Sequence, residues 1–99
     1  MNPLRDWVFV VGSDEDAHRV SVAITVFTGR PTNSVPPKDA LTTIAGFKSS
    51  HQGISTVVVM PDARPLLEEL RASLSNTGTR LVAPVAPVDP FSVVKELSD

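Results

Sequence analysis

The chain contains no cysteine. That absence removes disulfides, thiolate catalysis and Cys-ligated zinc or iron–sulfur sites. It also lacks any apolar run near the ~18–20 residues that a membrane-spanning helix needs. Its first apolar stretch, Trp7–Val11, is short and lies between Asp6 and Asp14, so it does not read as a secretory signal. Basic clusters are missing too: nine Lys and Arg are scattered singly against eleven Asp and Glu, for a net charge of −2. Such a chain has no electrostatic drive toward phosphate backbones or anionic lipid, so neither autonomous nucleic-acid binding nor membrane attachment is expected. Together these absences predict a soluble cytoplasmic domain. What remains is 99 residues, 41% hydrophobic and 20% charged, which suits one domain with a single modest core and excludes a disordered chain.

One grammar recurs along the chain. Trp7-Val8-Phe9-Val10-Val11 runs into Gly12-Ser13-Asp14-Glu15-Asp16, Val57-Val58-Val59-Met60 into Pro61-Asp62, and Leu81-Val82-Ala83-Pro84-Val85 toward Asp89-Pro90. Continuous apolar runs, unlike alternating ones, describe strands covered on both faces. Ser13 suits an N-cap, and Asp14, Glu15 and Asp16 suit the first turn of a helix dipole. Ala17, Val20, Ile24 and Phe27 then share one helical face and His18, Ser21, Thr25 and Thr28 the polar one, with Gly29 placed to end the helix. A strand competes over the same stretch, because Val20, Val22, Ile24 and Val26 alternate and are β-branched; the caps favour the helix.

Pro31–Val35 suits a short edge strand or a loop, and Pro36-Pro37 opens a helix carrying Ala40, Ile44 and Phe47. Lys48–Gly53 reads as a polar connection before the strand Ile54–Met60. Asp62 suits the cap of a helix Ala63–Leu74, with Ala63, Leu67, Leu70 and Leu74 on one face, ended by Asn76-Thr77-Gly78. Thr79–Val85 is the last strand, placed at an edge by Pro84 and Pro87, and Asp89-Pro90 starts a helix bearing Val93, Val94 and Leu97. The expected fold is a small three-layer α/β sandwich with three or four mainly parallel strands and helices on both faces. Right-handed crossovers collect the strand C-termini, and with them the acids, on one edge.

This order of motifs resembles a Toprim domain, the α/β fold of bacterial-type primases, topoisomerases and some nucleases. The pieces that carry the resemblance are Val11-Gly12 with Asp16-Ala17, Pro31–Val35, Val57–Asp62 with Ala63-Arg64, Leu81–Val85 and Asp89-Pro90. Val11 stands where the family has its strand-end Glu, and Arg64 where it has the second Asp of Asp-x-Asp, while Asp62 keeps the expected type. The resemblance therefore implies a degenerate member that has lost its means of holding Mg²⁺. It implies an interaction module with a protein partner, an accessory of phage or plasmid type linked to DNA replication or repair.

The candidate site is the acidic edge: Asp62 with Asp14, Glu15, Asp16 and Asp89, flanked by Ser13 and Arg64. Mg²⁺ commonly takes one or two carboxylates plus water and phosphate oxygens, so an alternative is a Mg²⁺-dependent phosphodiester-processing enzyme. Each acid also has a complete explanation as a cap or first-turn residue, and Arg64 would compete with a cation for Asp62. On that reading there is no cofactor. Gly12-Ser13 at a helix start could cradle an anion, but three acids follow it. His18 and His51 read as solvated surface residues, and Trp7 as core. A second alternative is a self-assembling dimer, since so small a sheet has edges to cover.

Overall fold

The computed structural model describes residues 7–13, 15–49, 54–75, 78–85 and 88–98. Side chains are described within these stretches, apart from residues 47–49 and 98. The expectations for Asp14, His51, Asn76, Thr77, Pro87 and the Phe47 side chain fall outside the described residues. The elements alternate: β1 (Trp7–Val11), α1 (Glu15–Thr28), β2 (Thr32–Val35), α2 (Pro37–Ser49), β3 (Ile54–Val59), a 3-10 helix (Pro61–Leu66), α3 (Leu67–Ser73), β4 (Arg80–Val82) and α4 (Pro90–Ser98). The four strands form one parallel sheet in the order β2-β1-β3-β4. No helix among the described residues is long and apolar enough to cross a membrane.

The two central strands explain the layers. Val8, Phe9, Val10 and Val11 are all fully buried, as are Val57, Val58 and Met60, with Val59 nearly so. Because strand side chains alternate between faces, each strand feeds two cores. Val8, Val10, Val58, Met60 and Val82 meet Ala17, Val20 and Ile24 of α1 and Val93 and Leu97 of α4. Phe9, Val11, Val57 and Val59 meet Ala40 and Ile44 of α2, then Ala63, Leu70 and Leu74. Each fully buried Val or Phe contributes about 1.5–3 kcal/mol, so the paired cores dominate the stability of this small domain. Trp7 is half-buried and packs against the second core.

Residues 17–28 are helical. Their β-branched side chains are accommodated in part by back-bonding: Thr25 Oγ1 donates to the Ser21 carbonyl at 3.0 Å and Thr28 Oγ1 to the Ile24 carbonyl at 2.6 Å. Gly29, at φ +72°, ends the helix, with its N–H on the Thr25 carbonyl.

Four expectations are corrected. Phe27 is exposed rather than core, because the last turn of α1 carries it away from the sheet side that buries Ile24. The helix expected over Ala63–Leu74 is a 3-10 helix followed by a short α-helix; Pro65 has no N–H to donate to an α-helical ladder. Lys48 and Ser49 belong to α2, not to the connection. The last strand is only Arg80–Val82, shorter than Thr79–Val85 and at the sheet edge, where prolines are tolerated.

Gly12 is required by space. A Cβ on it would sit 2.9 Å from the Met60 Cβ and Cγ and 3.0 Å from the Ala17 Cβ. The Met60 Cβ is fixed to backbone that the β1–β3 ladder holds, so it has little freedom to retreat. We expect Gly12→Ala to lower stability by about 1–3 kcal/mol, the usual cost of overpacking, read as a lower urea midpoint. An unchanged midpoint would show that this contact does not set the approach of α1 to β3.

Candidate functional site

The chain leaves β1 for α1 on one face of the sheet and β3 for the 3-10 helix and α3 on the other. The gap between the ends of β1 and β3 is thus a topological switch point, the usual ligand position in open parallel sheets. Ser13 and Asp62 stand there. The Ser13 N–H donates to Asp62 Oδ2 at 2.9 Å and the Ser13 hydroxyl donates to the same oxygen at 3.0 Å. Below them, backbone bonds extend the ladder past the strands: Gly12 N–H to the Val35 carbonyl, and Met60 N–H to the Val11 carbonyl. The two loops are laced together, and Met60, Gly12 and Ala17 pack in contact beneath the lacing.

This arrangement corrects two assignments. Ser13 bonds across the sheet rather than capping its own helix, which begins at Glu15. Asp62 sits inside the first turn of the 3-10 helix, whose N-cap is Met60 with no side-chain cap bond. Its carboxylate accepts from a loop 49 residues away. That pairing is invisible to local pattern reading, since both residues also fit capping chemistry.

The other acids lie in separate settings. Glu15 and Asp16 flank Arg19 on the surface of α1, at 3.5 and 3.9 Å. Such exposed i,i+4 and i,i+3 pairs are worth only about 0.3–0.5 kcal/mol. Asp89 caps α4: Oδ1 accepts the Phe91 N–H at 3.1 Å and Oδ2 the Ser92 hydroxyl at 3.1 Å. Arg64 is exposed and makes no ion pair among the described residues. No group of three or more His, Asp or Glu side chains is placed to hold a metal ion among the described residues. His18 is exposed.

Sequence reading missed a second feature. Val22, Val26, Phe27 and Phe91 are 47, 69, 59 and 63% exposed. Phe27 and Phe91 meet edge to face, with centroids 5.3 Å apart. Between α1 and the start of α4 lies an open groove of about 450 Å³, lined by Val22, Ala23, Val26, Phe27, Pro90 and Phe91 together with His18 and Arg19. The signal was present in the sequence: the alternation of Val20, Val22, Ile24 and Val26 gives a helix apolar residues on more than its core side.

The acids in these settings predict a specific outcome for metal. A Mn²⁺ titration of ¹⁵N-labelled protein is expected to give weak amide broadening spread over the exposed acids. Selective broadening at Ser13 and Asp62 at low metal would contradict this and favour a site at the switch point.

In comparisons with protein-family models, curated proteins and solved structures, nothing matches this chain.

Proposed function

We propose that this chain is a catalytically inactive, Toprim-like interaction module that binds protein through the outer surface of α1 and the start of α4. One observation carries the reading: Val22, Val26, Phe27 and Phe91 form a contiguous exposed apolar face around an open groove. Contiguous exposed apolar patches on small domains mark binding surfaces, whereas single exposed apolar residues need no explanation. Aromatic anchors such as Phe27 and Phe91 are the side chains enriched at the centre of interfaces. The Asp62–Ser13 lacing supports the same reading, because Oδ2 of the carboxylate expected to hold a metal already accepts both Ser13 donors. The resemblance to Toprim domains supplies the context: an accessory in DNA replication or repair, of phage or plasmid type, working in the cytoplasm.

The position of Asp62 and Ser13 at the switch point is the observation that favours the alternative, a Mg²⁺-dependent phosphodiester enzyme. The two readings place function on different parts of the molecule.

A photo-crosslinking amino acid at Val26, compared with one at the exposed Glu68 of α3, separates an interaction face from an ordinary surface. We expect a discrete adduct, in cells or with purified chain, from position 26 and none from position 68. Equal, diffuse labelling at both positions, or none at either, would overturn the reading.

A further inference from the structure

We infer that the occupant of this face is a second copy of the same chain, bound around a two-fold axis with the two α1 helices antiparallel. The inference rests on the interaction reading above and names its partner. It is carried by self-complementarity of shape and of charge.

Val22 and Val26, four residues apart, form an exposed ridge on α1. Beside the ridge lies the groove, with small, buried Ala23 in its lining and Phe27 and Phe91 as larger walls. Helices associate by setting the ridge of one into the groove of the other. Here one face carries both parts, which is what a two-fold interface demands: the same patch on each copy must supply the projection and receive it.

Charge fixes the direction. The start of α1 carries Glu15 and Asp16, its last turn holds no basic residue, and Arg30 lies two residues past its end. Arg30 makes no ion pair among the described residues. An antiparallel partner brings its own Arg30 toward Glu15, and the reverse, so that each end of the helix meets opposite charge. The helical register that sets Val22 against Ala23 of the second copy, and Val26 against the aliphatic stem of its Arg19, brings the segment just past its α1, with Arg30, to the Glu15 end. A parallel arrangement would set acids against acids. The 14 residues of α1 span about 21 Å at 1.5 Å per residue, which separates the charged ends from the apolar middle.

Sedimentation equilibrium of the full chain, from about 1 µM to about 1 mM, tests this across the range of weak to moderate affinities. The mass should rise from one chain to two. Val26→Glu should abolish the rise, and so should Phe91→Ser, with thermal melts checking that both variants stay folded. Glu15→Arg and Arg30→Glu should each weaken pairing, by up to about thirtyfold for rim charges used twice. The double variant Glu15→Arg/Arg30→Glu should restore it. A strict monomer throughout overturns the inference, as does a dimer indifferent to Val26→Glu or to the charge reversals. Crosslinking at position 26 separates the two failures. An adduct with a different protein, from a chain that sediments as a monomer, removes self-pairing and leaves the interaction reading standing. No adduct at all removes both.

Discussion

The structure depends on the burial of β1 from both sides. Val8, Phe9, Val10 and Val11 are inaccessible to water, and neighbouring residues in this strand serve opposite cores. A strand in that position needs a partner on each edge and helices on each face. The β2-β1-β3-β4 order supplies the first, and right-handed crossovers supply the second. The close approach of Gly12 to Met60 and Ala17 follows from the same constraint, since the chain must leave the centre of the sheet without lifting α1 from it.

Much of this was legible from residues alone. The Val-rich runs in β1 and β3 are continuous because neither face sees water, and Gly29 and Asp89-Pro90 mark helix ends through backbone chemistry that acts locally. What failed was the part of the fold that depends on distance in three dimensions. Phe27 continues the periodicity of Ala17, Val20 and Ile24, yet spacing does not reveal that the last turn stands clear of the core. Ser13 and Asp62 each fit a cap, and only the sheet brings them together. Pro65 suits a first helical turn in sequence, but here it falls in a 3-10 segment that delays the α-helix.

The candidate site was legible in composition and not in use. Along the chain, Glu15 and Asp16 follow β1 and Asp62 follows β3. In the fold, Asp62 laces one loop to another, Asp89 caps α4, and Glu15 and Asp16 pair with Arg19 on an exposed helix surface. The apolar face went unnoticed for a related reason. A β-branched run that could be a strand hides the fact that, wound into a helix, it presents valines on two sides. Val20 and Ile24 then hold the fold, while Val22 and Val26 stand exposed. Core and exposed apolar side chains are thereby separated along a single helix, so changes on the outer side should leave the core intact.

Self-association should use this outer side of α1 and leave the switch-point edge untouched. A concentration series of amide spectra tests it residue by residue. Shifts or broadening should be confined to the amides around Val22, Val26, Phe27 and Phe91, with Gly12, Ser13 and Asp62 unmoved. Changes centred on Ser13 and Asp62, or spectra invariant up to the highest concentration, would contradict it.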